Sequence, residues 1–382
     1  MSSYHPAIQL PEPDEVQIAH SSRLIERIIR HIQDAGGVIS FHDYMQHCLY
    51  EPGLGYYAAG STKFGAAGDF ITAPEVSPLF GYCLANQLHD LFKQGLPAGI
   101  LEFGAGTGKL CVDFITRLNV LGVGWDNYSI LEPSSDLQQR QKVLIEEKLA
   151  RADLQKISWL SALPESFSGV MLGNEVLDAM PVHVVHKNPH WVELGVGFVN
   201  QQFVWREFSQ TGDAVQRMQL IDADQHLPDQ YCTEINLNYE PWCKSLAESC
   251  DKAVLLLIDY GYLQAQYYHA QRVSGTLVCY YQHRVHPDPF IYPGLQDITA
   301  FVDFDAFGDA AIDAGFSIAG LASQADFLMR NGLLELIPDG LNELQQLEFA
   351  QQVKSLTLPE EMGEKFKVIA LQKGLDLNFQ GF

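Results

Sequence analysis

Basic residues are scarce in this chain. Lys and Arg number 24 against 47 Asp and Glu, a formal charge of −23 over 382 residues. A broad basic face for phosphate backbones is thereby excluded, and no nucleic-acid partner is expected. The acidic field favours a cationic partner, although acidity alone also serves solubility. No run of about 18 apolar residues occurs, so no membrane span is expected. The seven cysteines are scattered without a CxxC pair, which argues against a disulfide framework and a zinc site, and no metal is expected. Neither a GxSxG elbow nor an HExxH occurs, which removes the common hydrolase signatures. The opening MSSYHPAIQLPEPDEVQ lacks the basic-then-apolar order of a secretory signal and the Arg-rich bias of a transit peptide. The expected compartment is the cytoplasm.

What is present is a packed globular chain, 47% hydrophobic and long enough for a main domain plus additions. Apolar residues Leu24, Ile25, Ile28, Ile29 and Ile32 predict an amphipathic helix over 21–34, with Gly36 and Gly37 ending it. A short helix is expected over 38–50, and another over about 77–94. Between them, 51–78 is Gly-rich and aromatic, too long for an ordinary connection and therefore a candidate functional loop. From Gly99 the pattern changes to strand–turn–helix units. Strands are expected at 100–103, 128–131, 157–160, 169–172 and 254–259, with helices at 109–121 and 135–150. Stretches 317–321 and 366–371 would complete the sheet. Alternation of this kind implies a parallel sheet covered on both faces. The alternating stretch 182–206 reads as an antiparallel, β-rich insertion. The expected organisation is 1–95 as N-terminal helices and covering loop, 96–186 as the first part of the core, 187–250 as the insertion and 251–382 as the second part.

The first of these strands runs into ILEFGAGTGKL. Gly104, Gly106 and Gly108 stand where a backbone must turn sharply and pass close to a ligand. A Walker loop is excluded, because Phe103 and Leu110 occupy its first Gly and its Ser/Thr positions. The dinucleotide fingerprint is broken by Lys109 in place of its third Gly. What remains is GxGxG with Glu102 two residues before it. The second strand ends in Glu132, which can accept hydrogen bonds from ribose hydroxyls. Together they describe a nucleoside cofactor at the carboxyl edge of a sheet; a tight turn and a solvated Glu is the competing reading.

The fourth strand ends in LGNEVLDAMP, which places Asn174, Glu175 and Asp178 on the same edge. Glu175 and Asp178 are three apart, so one helical turn would set both on one face. Paired carboxylates there suit a guanidinium, whose fork of N–H donors they match. They can localise its charge, align one nitrogen and take up the departing proton. Glu175 is the expected orienting residue, with Asp178 and Asn174 assisting. The alternative is that Asn174 and Asp178 only cap a helix.

The pair EFGAGTG and LEPS resembles Rossmann-like S-adenosylmethionine methyltransferases. The resemblance implies that Glu102 and the glycines hold the methionyl part and Glu132 the ribose. Trp159, Leu160 and Ser161 would flank the adenine. More specifically, GDFITAPEVSPLFG, ILEFGAGTGKL, GNEVLDAMPV, LLLIDYG, GTLVCYYQHRVHPDPF and PGLQDITAFVDF occur in this order and resemble the MidA family over nearly the whole chain. That family is the bacterial relative of a mitochondrial complex I assembly factor that methylates arginine. The resemblance implies an α/β class I methyltransferase fold with an N-terminal helical segment and a β-rich insertion, a cytoplasmic bacterial protein, S-adenosylmethionine as donor and a protein arginine as acceptor. It also implies a link to respiratory complex I assembly, and a homodimer is admitted. By the same resemblance Asp69, Thr72, Pro74 and Glu75 belong to a loop over the cofactor, the other reading being a surface loop. Phe301 departs from the family, in which a His is expected before the residue matching Val302.

Asp259, Tyr260 and Gly261 end the central strand and should face the site. His183 and His186 are three apart in a strand and face opposite sides, so they do not share a metal. Tyr280, His283 and Arg284 would either line the site or pack on carboxylates. Rival functions are a small-molecule methyltransferase, a non-catalytic assembly chaperone that keeps the fold, and a nicotinamide-dependent oxidoreductase.

Overall fold

The computed structural model describes residues 10–59 and 71–382. They fall into two compact units. One takes in the described residues before 71 with 179–238 and 265–301; the other takes in 71–178, 239–264 and 302–382.

The second unit is built on one eight-stranded sheet. In chain order its strands are β1 (Gly99–Phe103), β2 (Asn127–Leu131), β3 (Ile157–Leu160), β4 (Phe167–Asn174), β5 (Cys250–Tyr262), β6 (Val302–Asp303), β7 (Ser317–Ser323) and β8 (Phe366–Lys373). In space the order is β7-β8-β5-β4-β1-β2-β3, with β6 paired to the end of β5. Strands β3, β2, β1, β4 and β5 run parallel, and β8 runs antiparallel to both its neighbours. β5 is buried from Ala253 to Gly261, as its unbroken apolar run requires of a strand covered on both faces. The chain steps outward from β1 to β2 and β3, then returns to the other side of β1 with β4. The junction of β1 and β4 is therefore the topological switch point, where open parallel sheets present ligands beyond their carboxyl ends. Close approach of those strands depends on Gly169, where an added Cβ would lie 2.0 Å from the Gly99 carbonyl oxygen.

The first unit carries the helix Glu15–Asp34, six residues longer at its start than the apolar period predicts. Asp14 and Gln17 form a capping box there, so polar side chains nucleate a turn that hydrophobicity does not mark. Leu24, Ile28 and Ile32 point inward at the expected spacing. They share a core with Tyr44, Val184, Val196 and Phe203. The stretch expected to be helical from 38 is a helix only over Phe41–Tyr50. Val38–Ser40 pairs antiparallel with Gly195–Gly197, and the Ser40 hydroxyl then caps the helix. The expected hairpins are present as His183–Lys187, Trp191–Val199 and Gln202–Ser209, joined in one antiparallel sheet with Cys232–Ile235. The buried Glu234 carboxylate accepts from the Thr276 and Leu277 N–H groups and the Thr276 hydroxyl, so one side chain anchors a bend that begins at Gly275.

Candidate functional site

The turn after β1 has the conformation its glycines predict. Gly104, Gly106 and Gly108 all lie in the left-handed region, at φ +58°, +53° and +89°. Their surroundings differ. Among the described residues, a Cβ on Gly106 would meet nothing within 4 Å, and one on Gly104 would first meet Val176 Cγ2 at 4.0 Å. The bend is thus open where a ligand's backbone contact would fall. Gly108 serves packing instead, since its Cβ would lie 3.3 Å from Ile145 Cδ1. Lys109 pairs with Asp113 one helical turn on, at 2.5 Å. The Thr107 hydroxyl donates to Glu75 Oε1 at 2.5 Å, which ties the short helix Ala73–Val76 to the bend. Thr72 starts that helix, its carbonyl accepting from Glu75 and Val76, and Pro74 is buried within it. Asp69 lies outside the described residues.

Glu102 is 2% exposed in the middle of the sheet and accepts from the Tyr128 hydroxyl at 2.8 Å. Burial pushes its carboxyl up to about 7; the Tyr128 hydrogen bond pulls the other way, and the like charge of Glu132 adds to the rise. Glu132 Oε1 accepts from the Ser134 N–H at 2.9 Å, and burial raises this carboxyl too. Leu160 ends β3 beside it, its carbonyl accepting from the Glu132 N–H at 3.1 Å. The Trp159 indole N–H reaches Gln141 Oε1 at 2.9 Å. The sequence reading missed Gln141. The signal for it is a fully buried polar residue in an otherwise apolar stripe, Leu137, Gln141 and Ile145, of the helix Ser135–Lys148.

The acidic stretch after β4 is a loop and not the helical turn expected of it. No helix starts there, so neither the shared helical face nor the capping alternative applies. The physical reason is Asp259, three residues before the end of β5. Its Oδ2 accepts from the N–H groups of Val176, Leu177 and Asp178 at 3.1, 2.8 and 3.3 Å, and its Oδ1 accepts from Tyr260 at 2.9 Å. Three successive amides converging on one carboxylate replace the bonds a helix would make. Burial, then the charges of Asp178 and Glu175, raise the Asp259 carboxyl well above the ordinary range. Glu175 sits at φ +55°, its N–H on Ile258 O at 2.9 Å. The Asn174 amide donates to Glu175 Oε1 at 2.9 Å. Asn174 Oδ1 is buried with no hydrogen-bond partner among the described residues. Asp178 is 4% exposed. Phe103 pairs in register with Gly173, and Val176 borders Gly104, so the acidic loop and the glycine bend share one rim.

The remaining candidates belong to the other compact unit. His183 bonds Glu193 at 2.7 Å, and no group of three metal-ligating side chains comes together among the described residues. His283 and Arg284 are exposed at a hairpin turn. The Phe301 N–H donates to the Thr276 hydroxyl at 3.1 Å. No described helix is long and apolar enough to cross a membrane.

A family model described as "Putative S-adenosyl-L-methionine-dependent methyltransferase" matches residues 83–322. A Burkholderia thailandensis protein, in a crystal structure bound to S-adenosyl-homocysteine, is 40% identical, with 98% of each chain covered and a TM-score of 0.92. A second crystal structure from that organism, a native one, is 39% identical with a TM-score of 0.90, and again covers 98% of each chain. Protein arginine methyltransferase NDUFAF7, mitochondrial, of Homo sapiens is 28% identical, covering 90% of this chain and 83% of the relative. The NDUFAF7 homolog of Drosophila melanogaster is also 28% identical, over 89% and 82%.

Proposed function

Because the chain belongs to this family of S-adenosyl-L-methionine-dependent methyltransferases, we propose that it methylates an arginine of a protein acceptor. When bound, the donor supplies an electrophilic methyl group on a sulfonium. Glu102 and the open backbone at Gly104 and Gly106 hold its methionyl end, Glu132 its ribose hydroxyls, and Trp159 and Leu160 its adenine, with the Thr72–Pro74 turn tied against the bend.

The observation that carries the acceptor reading is the Glu175 loop on the donor's rim. A guanidinium is charged throughout the neutral range, and carboxylates there match both its charge and its fork of N–H donors. Glu175 and Asn174 orient the guanidinium and Asp178 adds negative charge. Glu175 accepts the proton that leaves the nitrogen as the new N–C bond forms and the C–S electron pair returns to sulfur. The names of the 28%-identical relatives support arginine as the acceptor residue. The MidA resemblance makes a quinone-side subunit of respiratory complex I the first acceptor to test. The test is mass spectrometry of a lysate incubated with isotope-labelled donor. Label on protein arginine is expected; label confined to small molecules would overturn the reading.

A further inference from the structure

Gln141 has no part in the chemistry above, yet it touches three of the elements assigned to the donor. It is fully buried. Its Nε2 donates to the Gly106 carbonyl at 3.1 Å and to Glu132 Oε2 at 3.4 Å, and its Oε1 accepts from the Trp159 indole at 2.9 Å. The partners fix the amide's orientation, because a carbonyl and a carboxylate only accept and an indole N–H only donates. Nothing else described joins the glycine bend, the ribose acid and the Trp159 ring of β3 through one side chain. A buried amide costs stability unless it is satisfied, and Leu would fill the same stripe without that cost.

We infer that Gln141 is a positioning residue for the donor: it sets the Glu132 carboxylate and the Trp159 ring in place for the nucleoside and couples both to the glycine bend. This rests on the assignment of Glu132 to the ribose. The amide donor at Oε2 leaves Oε1 and the remaining lone pairs of Glu132 to the Ser134 N–H and to ligand hydroxyls. It also favours the ionised form that accepts from both.

The test is titration calorimetry of the full chain with S-adenosylhomocysteine and with its 2′-deoxy analogue. Wild type should prefer the intact ribose by about tenfold. Gln141→Leu should weaken S-adenosylhomocysteine by about tenfold and erase most of that preference. In a Glu132→Gln background the same substitution should cost clearly less than in wild type, because the share that runs through the carboxylate is gone and only the share through Trp159 and the glycine bend remains. An equal loss in both backgrounds, or an intact ribose preference in Gln141→Leu, overturns the inference. If Glu132→Gln alone leaves the preference untouched, the ribose assignment fails as well, which separates the two failures. Gln141→Glu guards against a folding defect. It keeps the Trp159 acceptor but places a second carboxylate beside Glu132, so its affinity should fall as pH rises through the carboxylate range. A pH-independent affinity in that variant also overturns the inference.

Discussion

Glu102→Gln removes a proton-binding group from the middle of the sheet while keeping an acceptor for the Tyr128 hydroxyl. In the folded chain this carboxyl holds its proton up to about pH 7, against an ordinary 4.5. Between those values the folded state carries a proton that the unfolded state has released. Stability therefore falls as pH rises through the window and is level above it. At about 1.4 kcal/mol per tenfold change in proton affinity, the cost of ionising Glu102 reaches about 3 kcal/mol at the top of the window. Gln is neutral at every pH, so the ligand-free variant should match wild type near pH 4.5 and exceed it by about 2–3 kcal/mol near pH 8. Urea denaturation at both pH values measures the gap. Calorimetry on the same variant should show S-adenosylhomocysteine binding weakened by about tenfold or more, because the ligand's cationic end loses its carboxylate. A gap that does not grow with pH would refute the account of a desolvated acid. Unchanged ligand binding would refute the assignment of Glu102 to the donor.

Glu175→Gln should lower kcat by about 100-fold or more with S-adenosylhomocysteine affinity unchanged; a matching loss of ligand affinity would place Glu175 in the donor seat. Asp259→Ala strands the loop amides that its carboxylate gathers and should cost about 2–4 kcal/mol together with most activity. Asp259→Asn keeps one acceptor and should recover much of both, as chemical denaturation and kcat would report. Gly106→Val forces a β-branched residue to φ +53° and fills the open bend, so ligand binding should vanish in calorimetry. In the other unit, Gly275→Ala would bring a Cβ to 2.2 Å from Glu234 Oε1 at φ +72°, and thermal denaturation should show a loss of about 2–4 kcal/mol.

The parallel sheet was legible because its signals are local. Glu102, the glycines and Glu132 stand at strand ends marked by apolar runs, and the run in 254–259 announces a strand buried on both faces. What stayed hidden depends on partners far along the chain. Val38–Ser40 becomes a strand only through Gly195–Gly197, so a local reading extends the helix over it. The loop at 175–178 takes its shape from a carboxylate 81 to 83 residues away, and spacing alone favours a helical turn. Gln141 was legible in principle, as the polar member of a buried stripe, but its partners lie on separate segments of the sequence.

β8 follows every other strand of its sheet in the chain, yet it lies between β7 and β5 and not at an edge. A ribosome delivers it last, into a slot that must stay open until it arrives. Until then the nascent sheet exposes two unpaired edges, one of them the buried apolar run of β5, and such edges recruit other chains. A stop codon before Phe366 would not trim a tail; it would remove an interior strand and leave a product destined for chaperones or proteolysis.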